Sequence, residues 1–137
     1  MLNFLDVNVL LALLWDRHVH SELARRWFDQ TSDGESVFCR FAQLTVLRLL
    51  TTESVMGGDT SSMAAAWTAW DVLAADSRLL FMPEPIAIEI ELRSRSRLPS
   101  RSPKVWADAY LLAFASTAGL TLVSFDRSLR SRGAHIL

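Results

Sequence analysis

At 137 residues, 50% hydrophobic and 21% charged, the chain is long enough to bury one core, too short for two comfortable domains, and too apolar for disorder. A formal net charge of −1 excludes general electrostatic attraction to nucleic acid, so any such contact must come from a local basic patch or through a bound cation. The lone cysteine, Cys39, excludes an internal disulfide and a cysteine zinc cluster. No signal-peptide pattern is present, and the apolar run at 7–15 is too short to span a bilayer and stops at Asp16, Arg17 and His18. The expectation is a single domain over 1–137, cytoplasmic, with no membrane segment.

The chain opens on 3–14, NFLDVNVLLALL, which predicts a buried strand ending in Asp6 as the backbone turns into a helix that carries the polar Asn8. Residues 21–30 predict an amphipathic helix capped by Ser21, with Leu23, Trp27 and Phe28 on its apolar stripe. After a polar loop at 31–35, residues 37–39 predict a brief buried strand. Helical periodicity then runs over 41–56, with Leu44, Leu47, Leu50 and Val55 along one side, until Gly57 and Gly58 stop it. Ser61 or Ser62 caps a helix over 63–76, and 79–82 reads as a strand ended by Pro83. Pro85 suits the first turn of a helix reaching Leu92. The segment 93–104, RSRSRLPSRSPK, reads as an irregular basic loop. A strong helix follows over 105–118, closed by Gly119. Residues 121–125 form a β-branched, apolar strand with Asp126 directly after it, 128–132 a last helical turn, and 134–137 an edge strand. This alternation predicts an α/β sandwich around a mostly parallel sheet.

Three carboxylates stand at the ends of predicted elements. Asp6 ends the first strand, Asp108 lies in the first turn of the 105–118 helix, and Asp126 ends the LTLVSFD strand. Parallel strands would put Asp6 and Asp126 at one sheet edge, where α/β sheets bind ligands. Such acids repel one another unless a cation neutralises them, and oxygen-only ligands favour Mg²⁺ or Mn²⁺ over Zn²⁺. His18 and His20 have an HxH spacing but no third ligand, so they read as surface or helix-start residues. The five tryptophans, 15, 27, 67, 70 and 106, read as core or dimer packing ahead of base stacking.

The stretches LDVNVLLALL and WADAYLLAFASTAGLTLVSFDRSL, with HVHSELARRWF and FCRFAQLTVLRLLT between them, resemble a PIN domain, specifically a VapC-type toxin ribonuclease of a type II toxin–antitoxin system. The resemblance covers nearly the whole chain. It implies a three-layer α/β/α fold and Mg²⁺- or Mn²⁺-dependent RNA cleavage at Asp6, Asp108 and Asp126, leaving a 5′-phosphate and a 3′-hydroxyl. It also implies support from Asn8 and Ser124, a homodimer, and a VapB-like antitoxin lying over the site. The sequence departs from the family at the helix after the second strand, where a Glu is common. Thr45 takes that place here, with Gln43 as a neutral neighbour and Arg48 following. Of Glu53, Glu89 and Glu91, none stands out as a replacement. Arg93, Arg95, Arg97, Arg101 and Lys104, just ahead of Asp108, together with Arg48, are candidates to hold the RNA backbone. Two rival readings are a catalytically impaired PIN-like binding module and a Mg²⁺-binding phosphoacceptor receiver. The receiver would need paired early acids and a Lys after a late strand, but the late strand ends in Asp126 and the sole lysine is Lys104.

Overall fold

The computed structural model describes residues 1–137. Five short strands form one sheet: β1 (Asn3–Leu5), β2 (Ser36–Phe38), β3 (Leu79–Phe81), β4 (Thr121–Ser124) and β5 (His135–Ile136). Their order is β3-β2-β1-β4-β5, and every neighbouring pair is parallel. The chain steps outward from β1 through β2 to β3, then returns to the other side of β1 for β4. This reversal puts a topological switch point between β1 and β4, where a ligand crevice forms beyond the strands' carboxyl ends.

Seven α-helices connect the strands: α1 (Val7–Leu14), α2 (Ser21–Phe28), α3 (Arg40–Leu50), α4 (Glu53–Met56), α5 (Met63–Ala74), α6 (Ile88–Ser96) and α7 (Val105–Ala118). Because side chains alternate along a strand, the two faces of the sheet take different partners. Phe4 stacks on Phe114 of α7, ring centroids 4.5 Å apart, and its register partner Val37 shares that face. Phe38, the next residue, points the other way and meets Trp70 of α5 edge-on at 4.8 Å. The result is a three-layer α/β/α sandwich. No helix is long and apolar enough to cross a membrane.

Several helix limits and faces differ from the sequence expectation, each for a local reason. The helix foreseen over 41–56 breaks after Leu50, because Thr51 and Thr52 turn their hydroxyls back onto the Arg48 carbonyl at 2.9 and 2.6 Å. Its buried stripe is Ala42, Gln43, Val46 and Leu50, while Leu44 points outward and is 66% exposed. Ser21 is not a cap. It is a buried residue of α2 whose Oγ accepts from Arg25, and the N-cap position falls to His20. Leu23 is exposed, and Ala24 takes its place in the core. The basic segment is helical as far as Ser96 and α6 begins at Ile88, beyond Pro85. Glu89–Arg93 and Glu91–Arg95, spaced one turn apart, favour that extension. Of the tryptophans, only Trp70 is buried, whereas Trp67 and Trp106 are exposed.

Candidate active site

Asp6 is the best-fixed of the three acids. Its N–H continues the β1–β4 ladder by donating to the Val123 carbonyl, and its carboxylate caps α1, with Oδ1 accepting from the Val7 N–H at 2.7 Å. Oδ2 accepts from the Ser124 hydroxyl at 2.7 Å, a bond between the ends of the two central strands. Ser124 Oγ in turn accepts from Asn8 Nδ2 and from the Asp126 N–H, both at 3.0 Å. Asn8 Oδ1 takes the Phe125 N–H at 3.2 Å. Asn8 and Ser124 therefore tie α1 to the end of β4 and hold Asp6 and Asp126 at one edge.

Asp126 caps the 3-10 turn Arg127–Arg132, its Oδ1 accepting from both the N–H and the hydroxyl of Ser128. Asp108, in the first turn of α7, accepts no side-chain hydrogen bond within the chain. Burial pushes the Asp6 carboxyl up, against the lowering effect of Ser124 and Val7, and the charges of Asp108 and Asp126 push it further. Burial also raises Asp108, followed by the charge of Asp126, with Arg132 acting the other way. Asp6 and Asp108 thus both feel neighbouring carboxylate charge, and none of the three acids forms an ion pair with a Lys, Arg or His.

As the side chains stand, no three acidic, imidazole or thiol groups converge closely enough to hold a metal ion. The donor chemistry nevertheless fits a hard dication. All donors are carboxylate oxygens, two of the three carboxyls are raised and none is ion-paired, and Asp108 has both oxygens free of internal bonds.

The other foreseen residues lie apart from this group. Gln43 is buried on α3 and its carbonyl oxygen accepts from Arg40, whose guanidinium lies over the Phe81 ring. Thr45 spends its hydroxyl on the Phe41 carbonyl at 2.8 Å. Neither hydrogen-bonds to the aspartates. Arg48 lines a groove between α3 and α5 with Leu44, Met63 and Trp67. Arg93 and Arg95 are engaged by Glu89 and Glu91, so these glutamates do not supply the absent acid.

Three features escaped the sequence reading. Glu84, just beyond β3 and hence at the same sheet edge, accepts from the Tyr110 hydroxyl at 2.6 Å. Its position after a strand was the available signal. Arg132, in the basic run after Asp126, is the cation acting on Asp108. The His20 ring stacks on Phe125, between Ser124 and Asp126, with centroids 4.4 Å apart. That stack pins the α1–α2 connection to the site rather than offering the histidines to a metal.

A model of the PIN domain matches residues 4–134. The chain is 38% identical over 133 residues to Ribonuclease VapC41 of Mycobacterium tuberculosis, covering 93% of this chain and 91% of that protein. It is 31% identical over 129 residues to Ribonuclease VapC39 of the same organism, covering 94% and 91%. Among solved structures, M. tuberculosis VapC20, described as a Sarcin-Ricin loop cleaving toxin, aligns with TM-score 0.69 at 15% identity, covering 98% of each chain. FitAcB from Neisseria gonorrhoeae aligns with TM-score 0.65 at 20% identity, covering 99% of this chain and 96% of that one. At these identities the structural likeness speaks for the fold.

Proposed function

The chain belongs to the PIN-domain family, among its VapC-type toxin ribonucleases, and on that premise we propose that it cleaves RNA phosphodiester bonds at Asp6, Asp108 and Asp126 with Mg²⁺ or Mn²⁺. The observation that carries this reading is the set of three carboxylates at one sheet edge, with no cation of the chain ion-paired to them, two of which, Asp6 and Asp108, are raised first by burial and then by neighbouring negative charge. When bound, the dication supplies charge neutralisation for the scissile phosphate and a lowered pKa for a held water.

The chain's own residues divide the remaining work. Asp6, fixed by Val7 and Ser124, gives the site a donor that cannot swing away. Asn8 and Ser124 orient that carboxylate and the Asp126 turn. Asp126 keeps one oxygen on Ser128 and has the other free. Asp108 is assigned the proton transfer, taking one from the attacking water or returning one to the leaving 3′ oxygen, a role its raised carboxyl and lack of internal hydrogen bonds support. The expected products carry a 5′-phosphate and a 3′-hydroxyl.

The test is cleavage of a structured RNA with Mg²⁺. Asp6→Asn should lower the rate by roughly 10³-fold, about 4 kcal/mol of transition-state stabilisation, with the far-UV circular dichroism unchanged. A fully active Asp6→Asn protein would sink the assignment. Gln43 and Thr45 add no negative charge, which favours, as a second reading, a PIN-like module that binds RNA without cutting it. Wild type that binds but never cleaves would select it. A VapB-like antitoxin is proposed to silence the toxin, and its addition should stop cleavage. A homodimer is proposed at the α3–α5 groove, where Leu44, Met63 and Trp67 are 66%, 76% and 47% exposed. Light scattering showing a monomer at all concentrations would remove it.

A further inference from the structure

Of the five cations in 93–104, Arg93 and Arg95 have carboxylate partners on α6. Arg97, Arg101 and Lys104 form no ion pair, and no Asp or Glu occurs between 97 and 107. Lys104 is moreover the N-cap residue of α7, at the positive end of its dipole, where a cation raises the helix's energy rather than lowering it. Stabilising the fold does not explain them.

A cavity of about 250 Å³ opens in this same segment, lined by Ser96, Ser100, Arg101, Ser102 and Trp106 with Leu98, Pro103 and Val105. Trp106 is 61% exposed, against 3% for Trp70 in the core. An indole left in water forfeits a large hydrophobic gain, so an exposed one beside a cavity has a use other than packing. A flat aromatic ring, a guanidinium and several hydroxyls form the donor set that takes an unpaired nucleotide: ring to base, cation to phosphate, hydroxyls to the base edge.

We propose that this cavity is a nucleotide subsite in which Trp106 stacks one unpaired base of the RNA and Arg101 holds an adjacent phosphate. The proposal rests on the ribonuclease reading above and adds where the strand runs. Trp106 and Asp108 are two residues apart on α7 and so project roughly 200° apart around it. The stacked base therefore lies about one helix width, ~10 Å, from the carboxylates. It belongs to a nucleotide flanking the scissile bond, and the subsite selects single-stranded RNA without taking part in the cleavage. An acidic peptide would satisfy the cations but gives no use to an open ring rimmed with hydroxyls.

Binding of a labelled, unstructured RNA oligonucleotide to the whole protein in EDTA, read by fluorescence anisotropy, tests this without cleavage. Trp106→Ala should weaken binding about tenfold, and Trp106→Phe, which keeps a stacking face, only about twofold. Abasic nucleotides placed one at a time should reveal a position where wild type loses about tenfold and Trp106→Ala loses nothing further. Arg101→Gln should reduce the slope of log affinity against log salt by about 0.7. Wild-type affinity in Trp106→Ala would overturn the proposal, as would equal abasic losses in both proteins or no RNA binding by wild type. So would a Trp106→Ala defect seen with an oligo-glutamate peptide and absent with RNA. The two readings fail separately. RNA bound through Trp106 but left intact with Mg²⁺ retires the enzyme and keeps the subsite, whereas Asp6-dependent cleavage with no coupling at Trp106 does the reverse.

Discussion

At the amino end of β3, Asp76 and Asp29 share one guanidinium, whereas at the carboxyl ends of β1 and β4 Asp6, Asp108 and Asp126 share none. Arg78 donates to Asp76 at 2.7 and 2.9 Å and to Asp29 at 3.2 Å while lying 4.3 Å over the Phe28 ring. Its hydrogen bonds hold the Asp76 carboxyl down at about 2. The cavity beside this cluster, about 380 Å³, is larger than the one at the basic segment, at about 250 Å³. Yet its charges are already matched within the chain, so it asks for nothing from outside. At the other edge Asp6 and Asp108 are raised, because burial and the neighbouring carboxylates outweigh the Ser124 and Val7 hydrogen bonds to Asp6 and the more distant charge of Arg132 on Asp108. Internal neutralisation, rather than cavity size, separates a structural carboxylate from one prepared for a ligand.

The widest expected separation between the two edges is in catalysis. Asp126→Asn should reduce RNA cleavage by roughly 10³-fold, and Asp76→Asn should leave it within about twofold, measured on the same RNA at saturating Mg²⁺. Comparable losses at both would erase the distinction. Ser124→Ala removes the hydroxyl that Asp6, Asn8 and Asp126 share, and should lower Mg²⁺ affinity about 10- to 100-fold, read from the metal dependence of the rate. An unchanged metal dependence would show that the network holds backbone only.

Stability should report the opposite edge. Arg78→Met strands two carboxylates that sit at the partly exposed rim, and should cost about 1–2 kcal/mol by urea denaturation with no effect on cleavage per folded molecule. The smallest effect is in pH, and its sign differs between the edges. Asp76 is depressed when folded, so its contribution is present above the unfolded carboxylate range and lost as pH falls through about 2. Asp6 and Asp108 are raised, so theirs is present below the unfolded range and lost as pH rises through their folded values. In metal-free protein at pH 7, Asp6→Asn should therefore raise Tm. That gain should shrink toward pH 4, while Asp76→Asn should lower Tm at pH 7. A destabilised Asp6→Asn protein would mean that the bonds from Val7 and Ser124 outweigh burial and repulsion.

Much of this architecture was legible without coordinates because its signals are local. Val105–Ala118 and its left-handed Gly119 cap match the expectation to the residue, since a long apolar helix and a glycine at φ 68° are dictated by neighbours in sequence. Asp6 and Asp126 stood out because strand ends sit where apolar runs stop, whereas Asn8 and Ser124 were singled out only through the family resemblance. The helix faces were not legible: Leu44 and Trp106 look like core residues, and nothing within a few positions of either says which side of the helix meets the sheet.

By itself the sequence determined the alternation of elements, the single core and the acids at the strand ends, all consequences of short-range periodicity and capping. Only the tertiary structure decided which charges are cancelled. Arg78 reaches Asp29 across 49 positions and Ser124 reaches Asp6 across 118, while Asp108 is left with neither a side-chain hydrogen bond nor an ion pair. Electrostatic energy depends on distance in space, and the parallel sheet sets those distances by joining residues from opposite ends of the chain.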